Sequence, residues 1–286
     1  MGIPWQDQPA WEVIEQAEAA LNEPLAHLLT TASEEDLSRT RNAQLAVLLT
    51  SLVAWEAASP ELPDPVAFAG HSLGQLTALI ASGVFTLEDG VRFAAARAEA
   101  TQAAADAHPG KMAALIGTTS ELASELCANE DCWVANDNTP GQIVIAGTPQ
   151  GIETIAQRAT EHGVKKVIPL DVNGAFHTPL MQPATDTLNT FLKSIALHTP
   201  SIPVICNLDA QPHTDSQTWR THSAEHVSTP VRWRESMITL QEIGATSFIE
   251  VGYGTMLAGL AKRGAPEIAM FNIGNPADIA STMEAA

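Results

Sequence analysis

The sequence predicts an α/β protein, a parallel-sheet core carrying an inserted antiparallel unit. Three observations carry this reading. Val66 to Ala69, small or apolar, run into Gly70-His71-Ser72-Leu73-Gly74, and Leu76, Leu79, Ile80 and Val84 follow at helical spacing, so this stretch reads as strand, sharp turn, helix. Between Lys111 and Leu170 the order becomes strand, helix, strand, strand, helix, strand, the βαββαβ pattern of ferredoxin-like units. From His177 onward helices and strands alternate again, which implies a parallel sheet covered on both faces.

Taken in order, Pro9 precedes a helical face of Trp11, Ile14, Ala17 and Leu21. Ser33 with Asp36 marks a second helix start, and Leu45, Leu48, Leu49, Leu52 and Trp55 continue a long apolar face that ends before Pro60. No strand is predicted before Val66. After the Ser72 turn and its helix, Thr86 and Asp89 cap a helix running to about Ala107, and His108-Pro109-Gly110 ends it. The inserted unit then reads as strand Lys111 to Gly117, helix Ser120 to Ala128, strand Trp133 to Asn136, turn Pro140-Gly141, strand Gln142 to Ala146, helix Pro149 to His162 and strand Val164 to Leu170. The core resumes with a helix from about Met181 to Ala196, then the strand Pro203 to Asn207. A helix near Glu235 to Gly244, the strand Ser247 to Val251, a helix Thr255 to Arg263 and the strand Ile268 to Ile273 complete it. The expected division is a core of residues 1–108 and 174–286 and a small unit of 109–173. A strand-turn-helix around Ser72 in such a sheet makes the core α/β-hydrolase-like.

Composition narrows the function. The 286 residues hold 33 acids against 14 bases, a net charge of −19, which argues against nucleic acid and anionic membranes as partners. No apolar run approaches the roughly 18 residues of a membrane span, and the N-terminus lacks a basic region followed by an apolar core, so the expectation is cytoplasmic. Cys127, Cys132 and Cys206 lack the paired spacing of a zinc site and are too few for a disulfide framework. No metal and no cofactor is expected.

Ser72 is the candidate nucleophile. A nucleophile elbow holds its serine at a strained backbone position, Gly70 and Gly74 leave room for the strand and helix, and the Leu73 amide at the helix N-terminus aims at a developing oxyanion. The serine needs a base to take its proton. His177, in Asn173-Gly174-Ala175-Phe176-His177-Thr178-Pro179, falls where the small unit ends and the core resumes, and such seams form ligand pockets.

Six segments resemble, in order and spacing, the motifs of malonyl-CoA:acyl carrier protein transacylases. These are Gly70-His71-Ser72-Leu73-Gly74-Gln75, Arg97 to Gln102, Ala135 to Gln142, Gly174-Ala175-Phe176-His177, Thr229-Pro230-Val231-Arg232-Trp233 and Glu250-Val251-Gly252-Tyr253-Gly254. The resemblance implies ping-pong transfer of malonyl from malonyl-CoA to the phosphopantetheine thiol of acyl carrier protein, in fatty acid biosynthesis. Ser72 would be the nucleophile, His177 the base, and the His226 backbone carbonyl the group that orients His177. It implies substrate-binding roles for Arg97, Leu73, Phe176, Gln75, Asn136 and Asn138. Arg97 would clamp malonate's free carboxylate, and an unpaired buried charge would then penalise neutral acyl groups. Phe176 would stand beside the acyl α-carbon and leave little room for a methyl branch. Asn136 and Asn138 would lie on a loop at the cleft edge, there to bond the substrate or to fix the Pro140-Gly141 turn.

The family also begins with a strand running into a Gly-Gln-Gly-x-Gln turn that supplies a second oxyanion amide. Nothing before Trp11 matches it. The expectation is a start downstream of the natural one, with a degenerate relative as the alternative. Docking of an acidic carrier on this acidic chain calls for a local basic patch, for which Lys165, Lys166, Arg232, Arg234, Lys262 and Arg263 are candidates. Two rival readings make distinct assignments. A serine esterase or thioesterase would use His226 with Asp209 or Asp215, and an inert carrier-binding module would use no acyl-serine at all.

Overall fold

The computed structural model describes residues 1–285. Helices alone occupy the stretch before the Ser72 turn: α1 (Glu12–Leu21), α2 (Ala26–Thr30), α3 (Glu34–Ser38) and α4 (Thr40–Ala58). Helix α1 buries Val13, Ile14 and Ala17 and stops at Asn22 in the left-handed region, φ 53°. Ser33 and Asp36 form the expected capping box, but α3 is a single turn, because Arg39 adopts extended geometry and α4 restarts at Thr40. The Asn42 amide donates to the Asp36 carbonyl at 2.9 Å and satisfies an end of α3 that the break leaves open. One predicted helix is therefore two. Leu45, Leu48 and Leu49 of α4 are fully buried in the main core.

Beyond the turn come α5 (Leu73–Ala81) and α6 (Leu87–Ala107), whose N-cap Thr86 accepts from the Asp89 N–H at 3.1 Å. The small unit comprises β1 (Lys111–Ile116), α7 (Ser120–Cys127), β2 (Cys132–Thr139), β3 (Gln142–Gly147), α8 (Pro149–Arg158) and β4 (Lys166–Pro169). Its strands form an antiparallel sheet of order β2-β3-β1-β4. Period-two alternation sorts the side chains. Ala113, Leu115, Ile143 and Ile145 face α7 and α8 in one buried cluster, while Met112, Ala114, Val144 and Ala146 turn the other way and pack with Ala175 of the core. Strand β2 runs three residues further than predicted, with irregular register between Val134 and Asn136 and between Asp137 and Thr139.

The chain re-enters the core through α9 (Gln182–Leu192), β5 (Val204–Ile205), β6 (Pro212–His213) and α10 (Ser216–Glu225). It finishes with α11 (Trp233–Glu242), β7 (Ser247–Val251), α12 (Met256–Gly264), β8 (Ala269–Ile273) and α13 (Ala277–Ala285). Helices α2, α10 and α13 and the β5–β6 hairpin were not legible in the sequence.

The mixed α/β class is as expected, but the core sheet is not continuous among the described residues. Strands β7 and β8 pair in parallel, and a single parallel bridge joins Phe68 to Val204, with no hydrogen bonds between these two parts. Phe68 donates its N–H to Pro203 (2.9 Å) and accepts from Ile205 (2.8 Å), whereas the amides of Ala67 and Ala69, on the opposite edge, find no acceptor among the described residues. Strand β7 is half-buried along its whole length. Both pieces nevertheless pack into the same two clusters: Phe68, Ile249 and Val251 on the main core, Ala69 and Phe248 beside Val231 and Trp233. Parallel strands need a partner on each edge, and residues 1–64 supply helices instead.

Candidate active site

Ser72 ends the Val66–Ala69 stretch at φ 51°, ψ −111°, and its successor opens α5. That backbone is costly for a residue with a side chain, and it throws the hydroxyl out of the turn. Gly70 makes the turn possible, because a Cβ there would lie 2.0 Å from the Gly74 backbone. Gly74 has open space beside its own Cα, so of the two glycines only the first is sterically required. The Leu73 N–H donates to no protein group among the described residues and points along the positive end of α5.

His177 also has a positive φ, 62°, and is held there by its N–H to the Val227 carbonyl at 2.9 Å. Its Nε2 is 2.7 Å from Ser72 Oγ, and its Nδ1 is 2.9 Å from the His226 carbonyl and 3.2 Å from that of Thr229. Carbonyls only accept, so Nδ1 carries the proton and Nε2 is left as the acceptor for the serine hydroxyl. Burial, and secondly the Arg97 charge, push the imidazole pKa down to about 3.

Arg97, on α6, is 4% exposed. Its Nη2 donates to Ser72 Oγ at 3.3 Å, its Nη1 donates to Gln44 Oε1, and its Nε has no partner. Burial lowers its pKa to about 10, which leaves it charged at neutral pH. No carboxylate pairs with it among the described residues. A buried cation lacking a counter-ion beside a nucleophile is an anion-binding position.

Behind these groups stands Asn207, which sequence reasoning missed. Its Oδ1 accepts from the Ser72 N–H (2.9 Å) and from His226 Nε2 (3.0 Å), and its Nδ2 donates to the Gly70 carbonyl (2.8 Å). The signal was its place at the end of a predicted core strand, where α/β sheets gather their sites. Gln44, the support of Arg97, left none, being one polar residue on a long helix.

Several expected roles change. Gln75 is fully buried and its Oε1 accepts from the Asn207 N–H at 2.7 Å, so it braces the turn and does not face a substrate. Asn136 and Asn138 lie within β2 and not on a loop. Asn138 Oδ1 bonds His71 Nε2 at 2.8 Å, and the Asn136 backbone bridges Val231. His226 contributes its ring as well as its carbonyl, through Asn207 and a 5.2 Å contact with the His177 ring. Phe176 packs at the seam, against Gly174 and Ala105 on the core side. Arg232 and Arg234 are tied to Glu235 and Asp137, which removes them from the basic patch. The esterase assignment fails, since Asp209 bonds His213 and Asp215 caps α10. Met1 and Gly2 are tied to α2, the Gly2 N–H donating to the Leu29 carbonyl at 2.8 Å, and Pro9–Trp11 packs on α4 and α1, so residues 1–11 contribute no oxyanion turn.

Residues 6–283 match the acyl transferase domain family. The chain belongs to that family. It is 36% identical over 259 residues to the malonyl CoA-acyl carrier protein transacylase of Bacillus subtilis, covering 89% of this chain and 82% of the relative. A crystal structure of the corresponding protein from Streptococcus pneumoniae superposes with a TM-score of 0.94 at 33% identity, covering 100% of this chain and 95% of the other. A malonyl-transacylase in complex with a type II polyketide synthase acyl carrier protein has a TM-score of 0.92 at 29% identity, covering 97% and 91%. This fold therefore accompanies acyl transfer in proteins of which the chain covers 82–95%.

Proposed function

We propose that the chain transfers malonyl from malonyl-CoA to the phosphopantetheine thiol of acyl carrier protein, supplying fatty acid biosynthesis. One observation carries the reading: Ser72 Oγ stands 2.7 Å from a neutral imidazole nitrogen and 3.3 Å from a buried guanidinium that has no carboxylate partner among the described residues. Malonate brings that carboxylate. Acetyl does not.

The hydroxyl proton passes to His177 Nε2 as Oγ attacks the thioester carbon, and the Leu73 amide faces the oxyanion. Collapse breaks the C–S bond, and CoA leaves with the proton that His177 held. In the second half-reaction His177 takes the proton of the carrier thiol, the sulfur attacks malonyl-serine, and Ser72 regains its proton. Both steps exchange ester and thioester without redox change, so the proposal includes no cofactor. A substrate carboxylate on Arg97 also offsets the charge that lowers His177, making it a better base when malonyl is bound.

Phe176, next to His177 on the seam, would narrow the acyl site against α-branched groups. Lys165, Lys166, Lys262 and Arg263 remain for an acidic carrier. Arg263 reaches Gln142 at the start of β3, and the Lys165 stem lies over Gly117. In this reading 109–173 is an inserted unit forming one wall of the site. No helix among the described residues is long and apolar enough to cross a membrane. We place the enzyme in the cytoplasm with its CoA and carrier substrates.

Intact mass after incubation with malonyl-CoA tests the assignment. A malonyl adduct is expected, absent in Ser72→Ala and in His177→Ala slowed by about 10²–10⁴. An adduct that persists in Ser72→Ala, or carrier binding with no adduct, would overturn it. Arg97→Ala should lose about 10² of its preference for malonyl over acetyl thioesters, the cost of one charged hydrogen-bonded contact.

A further inference from the structure

The stretch from β5 to α10 gathers three ligand-bearing side chains that the acyl chemistry does not use. Asp209 lies in the hairpin connection, His213 on β6 and His222 on α10, and one ligand atom from each falls within 4.8 Å of the others. His213 Nε2 is 2.8 Å from Asp209 Oδ2, and Asp209 Oδ1 is fixed by the Gln211 N–H at 3.0 Å. The His213 and His222 rings stand edge to face at 5.4 Å, and Trp219 walls both, at 5.9 and 6.5 Å. All three ligand residues are half-buried, dry enough to favour a dative bond and open enough for an ion to enter.

We propose that Asp209, His213 and His222 bind a divalent transition-metal ion of the zinc class, which clips the β5–β6 hairpin to α10. Two imidazoles and one carboxylate suit zinc and its neighbours, whereas calcium and magnesium take oxygen ligands. Tetrahedral bonds of about 2.0–2.2 Å put ligand atoms roughly 3.3 Å apart, and the observed spacing brackets that value. The ion would take the place of the proton now shared between His213 and Asp209, leaving a fourth position for water. Cys206 Sγ lies 3.5 Å from His222 Nδ1 but is engaged by the Leu208 N–H at 3.4 Å, and it is not a ligand in this proposal.

The clip would be structural. Asp209 is two residues from Asn207, and His222 is one helical turn before His226, so the ion would brace the two supports of Ser72 and His177. It would do this without touching the reacting atoms.

The test compares chelator-stripped chain with and without added zinc chloride, by calorimetric titration and by thermal unfolding. One equivalent should bind, and Tm should rise by roughly 5 °C at a hundredfold excess over Kd. His213→Ala/His222→Ala should lose both effects while keeping the metal-free Tm and the Ser72 malonyl adduct, which separates this test from that of the acyl chemistry. Cys206→Ser should bind unchanged, and cobalt in its place should give tetrahedral absorption without a thiolate charge-transfer band. Absence of binding, binding retained in the double variant, or binding lost in Cys206→Ser would each overturn the proposal.

Discussion

The small unit and the core sheet solve the same problem in opposite ways. In the small unit β1, β2, β3 and β4 pair within about sixty residues of chain, each inner strand has two neighbours, and alternate side chains fill one cluster on either face. In the core, the extended segment leading to Ser72, joined to Val204 by a single bridge, and strand β7, paired with β8, serve the same clusters but do not pair with each other, so each keeps one edge unpaired among the described residues. The antiparallel unit pairs all four strands within a short stretch of chain, β2 and β3 through a direct hairpin, and among the described residues reaches the core sheet only through the bridge of Asn136 to Val231. A parallel sheet is only as continuous as the strands that distant segments bring to it. Ser72, the proposed nucleophile, sits in the less closed of the two regions, held by side chains such as Asn207 instead of a full ladder.

The sharpest way to break this contrast is Gly70→Ala. With backbone 2.0 Å from the new Cβ the turn cannot form, so the malonyl adduct should vanish, while hydrogen exchange in β1 and β3 stays protected. Loss of protection in both regions would show that the small unit depends on the turn. Next comes packing. Leu115→Ala, in the closed cluster, should cost about 2–5 kcal/mol in denaturant unfolding, whereas Ile249→Ala on half-buried β7 should cost about 1 kcal/mol. Equal costs would remove the distinction.

Acid should also act on the core first. His177 and His226 are buried there and His71 is half-buried, all three depressed chiefly by desolvation, with His177 at about 3, while the small unit's His162 is exposed. Below pH 6.5 the unfolded chain binds protons that these folded imidazoles refuse. Their contribution to stability is therefore complete above about 6.5 and is lost progressively as pH falls toward 3. Exchange protection in α5 and α10 should fall across that window before protection in β1 does; the reverse order would place the acid-sensitive groups elsewhere. Exchange at neutral pH gives a finer reading. The Ala67 and Ala69 amides, which lack acceptors among the described residues, should exchange faster than those of Ala113 and Leu115. The smallest effect belongs to Gly74→Ala, which should leave stability within about 1 kcal/mol because its Cβ enters open space in a helix.

Much of this was legible in local pattern. The strand-turn-helix around Ser72, the Thr86 cap and the alternating strands of the small unit are short-range signals, and the model of one nucleophile with one histidine rested on residues that announce their chemistry. Gln75, Asn136 and Asn138 show the limit. The family resemblance implied substrate contact for them, but the fold turned them to Asn207, to a backbone bridge and to His71.

The sequence by itself determined most of the element types, the strained serine and the chemistry that Ser72 and His177 can perform, because backbone preference and side-chain acidity are properties of residues and their near neighbours; the clamp role of Arg97 came from the family resemblance. Only the tertiary structure decided that the Thr229 carbonyl joins that of His226 on the imidazole, that Arg97 has no carboxylate within reach among the described residues, and that Asp209, His213 and His222 converge. Those facts depend on contacts between segments separated by tens of residues, where distance and burial set both hydrogen bonding and charge.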